Sequence, residues 1–221
     1  MIKKLAAAID HTLLKADTTR EEITALCAEA KEHRFAAVCV NPWHTALASR
    51  TLQGTGVAVA VVAGFPLGAN TTAAKVFEAG EAVQNGATEI DLVINVAALK
   101  DGLERYVREE ISRVKAATEG TLLKVIIETG LLKHEEKVIA VELAAQAGAD
   151  MIKTSTGFHG GATTDDVRLI KELVSHLGIK ASGGIRSAAF ALELLTVGAT
   201  RIGTSSAVTI LQELQNKSEE E

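Results

Sequence analysis

The sequence predicts an α/β protein, a single (β/α)8 barrel of the TIM-barrel type with a short N-terminal helix. A short run rich in valine, isoleucine and alanine, a polar turn and a longer segment with apolar residues at helical spacing follow one another along the chain. This unit recurs about eight times, the number that closes a parallel barrel. An open doubly wound sheet is the alternative, and it is disfavoured because no Gly-x-Gly-x-x-Gly turn follows the first strand.

The predicted strands and helices alternate along the chain. The strands cover roughly residues 9–13, 35–40, 57–64, 89–95, 122–128, 151–155, 179–183 and 201–205. After the first strand, residues 18–22 (TTREE) indicate the capped start of a helix. Alanines in residues 28–30 and 73–82 add helix propensity between later strands.

The composition predicts one large domain. The chain has 221 residues, 47% of them apolar, and no Pro/Gly/Ser-rich linker divides it. We therefore expect a barrel domain over residues 1–214. Residues 215–221 are polar and end in a run of glutamates, which predicts a disordered acidic tail.

Charge and hydropathy favour small-molecule partners. A formal charge of -5 and 3% aromatic residues disfavour a nucleic-acid surface, which needs a basic stripe or a stacking platform. We expect no membrane partner, because no apolar segment has the length of a membrane span. Cys27 and Cys39 form neither a disulfide framework nor a metal clip, which favours a reducing, cytoplasmic location.

The fourth predicted strand carries an acidic residue on its inner face. Side chains alternate along a strand, so Asp91 shares a face with Val93 and Asn95. The apolar residues between them would pack against helices. We therefore expect Asp91 to point into the barrel.

Two lysines lie inside short apolar runs that end in glycine, at residues 151–157 (MIKTSTG) and 179–184 (IKASGG). Lys153 and Lys180 have similar offsets from their glycines on predicted neighbouring strands about 4.8 Å apart, so we expect their amines to lie close together. Burial and mutual repulsion both lower a lysine pKa, and a neutral amine attacks carbonyls. Asp91 would keep one lysine cationic while the other acts as nucleophile. The alternative is a structural ion pair with the second lysine extended to the rim.

A third lysine lies in the fifth predicted strand. Lys124 is further from its glycine than the other two lysines are from theirs, which predicts a deeper position in the barrel. We expect it to be mainly structural and paired with an inward carboxylate.

Glycine-rich turns follow the last two predicted strands, at residues 182–185 (SGGI) and 203–206 (GTSS). Barrels commonly bind phosphate at this place through backbone N–H groups and a helix N-terminus. Tight strand-to-helix turns with serine caps are the alternative interpretation. The position of both turns favours a phosphate site.

The six histidines show no spacing typical of metal ligands, and no carboxylate cluster of ligand type accompanies them. The sequence therefore predicts neither a bound metal nor another cofactor.

Five segments, taken in order, resemble those of the deoxyribose-phosphate aldolase family. They are residues 10–15 (DHTLLK), 38–42 (VCVNP), 89–95 (EIDLVIN), 153–157 (KTSTG) and 180–185 (KASGGI), within a resemblance that extends from about residue 5 to 214. The resemblance implies a metal-free class I aldolase. It implies reversible cleavage of 2-deoxy-D-ribose 5-phosphate to acetaldehyde and D-glyceraldehyde 3-phosphate in carbohydrate breakdown, by a homodimer or homotetramer.

The same resemblance implies roles for individual residues. Lys153 resembles the lysine that forms the Schiff base, Lys180 the lysine that tunes it, and Asp91 the acid/base partner that works through water. Substrate contacts are implied for Asp10, Thr12, Thr156, Gly157, Gly183, Gly184, Ser205 and Ser206.

Two features depart from some members of the family. Phe158 stands where those members have a lysine, and the tail lacks their C-terminal tyrosine. Two other functions remain open on the residues alone. A sugar-phosphate isomerase would need the phosphate turns and a base but no imine, and a non-catalytic sugar-phosphate binding protein would need neither amine.

Overall fold

In the computed structural model of the chain, residues 2–220 are described, with the backbone alone for residues 217–220. Eight parallel strands close into a barrel in sequence order, which confirms the predicted (β/α)8 fold. The strands are β1 Ile9–Leu13, β2 Ala37–Val40, β3 Ala58–Ala63, β4 Glu89–Val93, β5 Leu122–Ile126, β6 Met151–Lys153, β7 Gly178–Ser182 and β8 Arg201–Thr204.

Helices cover the outside of the barrel. They are α1 Ile2–Ala6, α2 Arg20–His33, α3 Thr45–Leu52, α4 Thr72–Gln84, α5 Val96–Lys100, α6 Glu104–Ala117, α7 His134–Gln146, α8 Thr164–Leu173, α9 Ala188–Thr196 and α10 Ala207–Glu220. Short 3-10 turns follow β2 and β5, at Pro42–His44 and Thr129–Leu131. The predicted N-terminal helix is α1.

The predicted start of α2 is confirmed in detail. The backbone N–H of Glu22 donates to the Thr19 hydroxyl at 3.2 Å, and the N–H of Thr19 donates to the Glu22 carboxylate at 2.7 Å. This reciprocal capping satisfies two N–H groups that the first helical turn leaves without partners.

The strands separate two kinds of interior. Ile90, Leu92 and Ile94 belong to the large apolar core between strands and helices, as the alternation along β4 predicts. Inside the barrel, β2 and β3 contribute the small cluster of Ala37, Cys39, Ala60 and Val62. The inner positions of β1 and of β4 to β8 instead include charged side chains, which form the site described below.

Three predicted strands extend two residues too far at their carboxyl ends. The regular strand stops two residues earlier than expected in β4, β5 and β6. Asn95 leaves the strand because its side chain accepts the N–H of Ala98 at 3.0 Å and caps α5. Glu128 adopts the left-handed conformation with φ of 57°, which no strand residue has. These residues therefore lie in the loops at the mouth of the barrel.

The last helix, α10, includes the backbone of residues 215–220, for which the sequence predicts disorder. The side chains of residues 217–220 and the whole of Glu221 lie outside the described residues. Disorder of the tail stays a prediction. Among the described helices, none combines the length and the apolar character needed to cross a bilayer.

Candidate active site

Strand register brings the predicted reactive groups together inside the barrel. Lys153 of β6 is paired in register with Lys180 of β7, and Asp91 of β4 with Lys124 of β5. All four side chains are buried. The predicted adjacency of the two lysines is therefore confirmed, as is the inward direction of Asp91.

Asp91 contacts three ammonium groups at once. Its Oδ2 accepts from Lys153 Nζ at 2.8 Å and from Lys180 Nζ at 2.7 Å, while Oδ1 accepts from Lys124 Nζ at 2.8 Å. Burial raises the pKa of this carboxyl, but Lys124, Lys153 and Lys180 outweigh burial and hold the pKa well below its usual range. Asp91 is therefore an anion that accepts hydrogen bonds from three lysine side chains.

A second layer of charges lies below Asp91. Lys180 Nζ is 2.6 Å from Asp10 Oδ2, and Lys124 Nζ is 2.5 Å from Glu89 Oε2. Arg201 at the start of β8 reaches Asp10 at 2.6 Å and Glu89 at 3.3 Å. Lys124 is fully buried with carboxylates around it, as expected of a structural lysine.

The pKa values of the two neighbouring lysines are shifted in opposite directions. Burial lowers the pKa of Lys153, Asp91 raises it and Lys180 lowers it further, so that the pKa lies below that of an ordinary lysine. Burial also lowers the pKa of Lys180, but Asp10 and Asp91 outweigh burial and raise the pKa well above the usual value. These directions agree with the expected division into a nucleophile and a cation, which stays a prediction, and burial is the largest cause for Lys153.

The amine of Lys153 faces a cavity of about 210 Å³ at the mouth of the barrel. Its wall consists of Thr12, Leu14, Lys153, Thr156, Gly157, Ser182, Gly183, Gly184, Ile185, Arg186, Gly203, Thr204 and Ser205. Most of the predicted substrate contacts are therefore on this wall. Two of them are not. Asp10 is buried beneath Lys180, and the N–H of Ser206 donates to the Thr204 hydroxyl at 2.9 Å.

Glycines give one end of the cavity its shape. Gly183 and Gly184 have positive φ angles of 92° and 72°. A Cβ on Gly183 would lie 3.0 Å from the carbonyl oxygen of Gly160 and 3.1 Å from the Cα of Gly157. Only glycine therefore fits at position 183, where the turn packs against the loop after β6, and both glycines also line the cavity. Arg186, which was not predicted from the sequence, adds a cation to this wall. Its position directly after the glycine turn could have indicated this location.

A second missed residue, Glu128, supports the wall beside Lys153. The carboxylate of Glu128 accepts the backbone N–H of Thr156 at 3.1 Å and also accepts the Thr156 hydroxyl. The N–H of Phe158 donates to that hydroxyl oxygen at 3.1 Å. Glu128 is buried and strained, so its side chain fixes the loop that follows β6.

Phe158, which departs from some members of the family, lies at the outer rim. It packs edge to face against Phe65, with ring centroids 5.5 Å apart.

Within the described part of the chain, no group of three or more His, Cys, Asp or Glu side chains is arranged to hold a metal ion. The Cys39 thiol lies 3.8 Å from Asp91 Oδ2, and burial raises its pKa, so the thiol is neutral.

A parallel barrel with a buried lysine of lowered pKa at the strand carboxyl ends, facing a glycine-lined cavity, has the features that a Schiff-base site needs. Residues 4–212 match the model of the DeoC/LacD family of aldolases. The chain belongs to this family, which confirms the resemblance found in its motifs.

Individual relatives agree with this assignment. A protein of Staphylococcus haemolyticus named deoxyribose-phosphate aldolase is 54% identical over 213 residues, covering 96% of this chain and 97% of the relative. A protein of the same name from Clostridium tetani is 52% identical over 208 residues, covering 93% of this chain and 96% of the relative. The tetrameric deoxyribose phosphate aldolase of Aeropyrum pernix has the same fold, with a TM-score of 0.91 and 35% identity over 98% of this chain and 93% of that one.

Proposed function

We propose that this chain is an aldolase that reversibly cleaves 2-deoxy-D-ribose 5-phosphate to acetaldehyde and D-glyceraldehyde 3-phosphate through a Schiff base on Lys153. The observation that carries the proposal is the environment of the Lys153 amine. It lies on the cavity wall, its pKa is lowered, and Asp91 is its single carboxylate partner among the described residues. The relatives named deoxyribose-phosphate aldolase support the choice of substrate.

The reaction begins when the neutral Lys153 amine attacks the C1 aldehyde of the open-chain sugar. Loss of water gives a protonated imine, whose positive charge keeps Asp91 as its counter-ion. The C3 hydroxyl gives its proton to water, the C2–C3 electron pair becomes the C1–C2 double bond of the enamine, and the imine π pair moves onto nitrogen. D-Glyceraldehyde 3-phosphate leaves, and the remaining enamine is protonated at its carbon and hydrolysed to acetaldehyde and free Lys153.

The roles of the other charged groups follow from their contacts. Lys180, held cationic by Asp10 and Asp91, stays an ammonium and keeps Lys153 from regaining its proton. Asp91 acts as the fixed anion for both. Its acid/base role through water stays a prediction, and the lowered pKa of Asp91 disfavours it as a proton carrier at neutral pH.

We assign the substrate phosphate to the glycine-rich end of the cavity. Gly183 and Gly184 present open backbone there, and Ser205 and Arg186 contribute a hydroxyl and a cation. Ser206 follows Ser205 in the turn after β8, where its N–H donates to the Thr204 hydroxyl at 2.9 Å, and its contact with phosphate stays a prediction. Thr12, Thr156 and Gly157 line the path between the phosphate end and Lys153.

The experiment that tests this function is imine trapping. We expect acetaldehyde and borohydride to leave an ethyl group on Lys153, located by mass spectrometry of its peptide. Lys75 is the internal control, because it is buried away from the cavity. Absence of an adduct, or an adduct at another lysine, would contradict the proposed mechanism. Turnover of the sugar phosphate without an adduct would favour an isomerase.

We further propose that the enzyme is a homodimer or homotetramer in the cytoplasm. The tetramer of the Aeropyrum pernix relative supports assembly. The two free, buried cysteines, Cys27 and Cys39, support a reducing compartment. Light scattering on the purified chain measures the mass, and a monomer would contradict the first of these proposals.

A further inference from the structure

The charges at the bottom of the barrel extend well beyond the groups that meet the substrate. Arg201 starts β8 and Glu89 starts β4, on opposite sides of the ring, yet they meet across the interior at 3.3 Å. Arg201 also contacts Asp10 at 2.6 Å. Neither Arg201 nor Glu89 lines the cavity. Arg201 and Glu89 therefore contact the charged groups beneath the cavity, which are Asp10 and Lys124, and each other.

These charges do not balance. In the part of the chain that the structure describes, four cationic groups in the barrel interior face three carboxylates. The cationic groups are Lys124, Lys153, Lys180 and Arg201, and the carboxylates are Asp10, Glu89 and Asp91. A buried excess of one positive charge is unfavourable, and loss of one proton removes it.

The proton leaves the amine that has the fewest anions. Lys124 lies within 3.4 Å of three carboxylates, and Lys180 and Arg201 each contact two. Lys153 contacts Asp91 alone, at 2.8 Å. Because an arginine stays protonated in proteins, the group that loses its proton is the lysine with the fewest carboxylate contacts, Lys153.

We propose that Arg201 is a positioning residue for the aldolase reaction, whose charge keeps the Lys153 amine neutral from the far end of the barrel, and that Glu89 acts in the opposite direction. This inference rests on the proposed function of Lys153. In this proposal the net charge of the groups inside the barrel affects the protonation of Lys153, even where a group does not contact Lys153.

The titratable groups that face Lys153 include the six other members of this count, one thiol and two groups on the loops. They are Asp10 on β1, Cys39 on β2, Glu89 and Asp91 on β4, Lys124 on β5, Lys180 on β7 and Arg201 on β8, with Glu128 and Arg186 on the loops after β5 and β7. The Cys39 thiol is neutral because burial raises its pKa. The inner residues of β3, such as Ala60 and Val62, are apolar.

The expected size of the effect follows from the ring geometry. β4 and β8 each lie two strands from β6, and two strand spacings are about 10 Å. At an effective dielectric constant of about 20, two unit charges at that distance shift a titration by about one pH unit. Arg201 and Glu89 should therefore have effects of similar size and opposite sign.

The test is the pH dependence of Lys153 acetylation by trace acetic anhydride, measured by mass spectrometry against a free amine standard. We expect Arg201→Met to raise the midpoint by about one pH unit and Glu89→Gln to lower it by about one pH unit. Arg201→Lys, which keeps the charge, should leave the midpoint near that of the wild type. The double variant Arg201→Met/Glu89→Gln restores the charge count and should bring the midpoint back.

Damage to the fold does not reproduce this pattern, because both single variants would then shift the midpoint in the same direction. Equal midpoints in all variants, or a shift in Arg201→Lys as large as in Arg201→Met, would overturn the inference. If Arg201→Met does not fold, Glu89→Gln decides alone, since an unchanged or raised midpoint contradicts the proposal. Failure of imine trapping in the wild type would instead overturn the proposed function.

Discussion

Two regions of this protein contain buried lysines in contact with carboxylates, and they differ in charge balance and in access. Lys75 on α4 is fully buried beside Glu110 on α6, with Nζ 2.7 Å from Oε1. Its amine also donates to the carbonyl of Val93 at 2.9 Å. The charged groups around Asp91 inside the barrel comprise three lysines and Arg201 against three carboxylates. One of these lysines, Lys153, lies on the cavity wall.

Lowered pKa alone does not distinguish the two regions. Burial lowers the pKa of Lys75 and Glu110 raises it, with the net direction downward, as for Lys153. The Lys75 pair is balanced one to one, and it lies away from the cavity wall. Glu110 also accepts the backbone N–H of Asn95 at 3.1 Å, so the pair ties α4 and α6 to the end of β4. Burial is the largest cause of the lowered pKa in both regions, so access to the cavity and the charge imbalance proposed above are what set Lys153 apart from Lys75.

The largest effect is expected for Lys153→Arg. The guanidinium keeps the positive charge but does not form an imine at any working pH, so cleavage should fall by more than about 1,000-fold. Borohydride trapping should be lost as well. Activity assays and mass spectrometry check both results. Retention of more than a trace of activity would contradict the role of Lys153 as nucleophile, and with it the functional difference between Lys153 and Lys75.

Lys75→Met tests the other side of the comparison. Loss of the ammonium leaves Glu110 buried without its cation, so the free energy of unfolding should fall by about 3–5 kcal/mol. Urea denaturation measures this change, and imine trapping per folded molecule should stay close to that of the wild type. The matched variant Lys75→Met/Glu110→Leu should recover much of the stability. Loss of trapping in the folded Lys75→Met protein would show that the two regions are not separate.

A smaller effect is expected at the phosphate end, and it tests the role of access. Ser205→Asp places a carboxylate on the cavity wall beside the glycine turn, where it should repel the substrate dianion. The KM for 2-deoxyribose 5-phosphate should rise by about tenfold or more, which corresponds to at least about 1.4 kcal/mol. Unphosphorylated 2-deoxyribose should be affected much less. Equal losses for both sugars would mean that Ser205 only shapes the turn.

Much of the barrel and the centre of its site could be predicted from local patterns. The number of strand and helix units gave the barrel, and the period of two along β4 placed Asp91 inside. The similar offsets of Lys153 and Lys180 from their glycines predicted that they are neighbours, which the strand register confirms. These features depend on spacing within a few residues, which a sequence displays directly.

The remaining features depend on contacts that local spacing does not show. Arg201 and Glu89 are 112 residues apart and meet only because the ring closes. Glu89 shares the inner face of Asp91, so the alternation that found Asp91 could also have found Glu89. Lys75 lies on a helix, where a lysine ordinarily reaches solvent, and its burial depends on how α4 packs against α6. Left-handed φ at Glu128 is likewise set by the loop around it.

The central claim is that the positive charges around Lys153 help to lower its pKa, and titration of Lys153 in the wild type and in Lys180→Leu tests it most directly. Removal of the Lys180 ammonium leaves burial in place and frees Asp91 to hold Lys153, so the pKa of Lys153 should rise toward that of an ordinary lysine. Because the neutral amine is the nucleophile, activity near neutral pH should fall and partly recover as the pH is raised. An unchanged or lower pKa of Lys153 in the Leu variant would contradict the claim and leave burial as the sole cause.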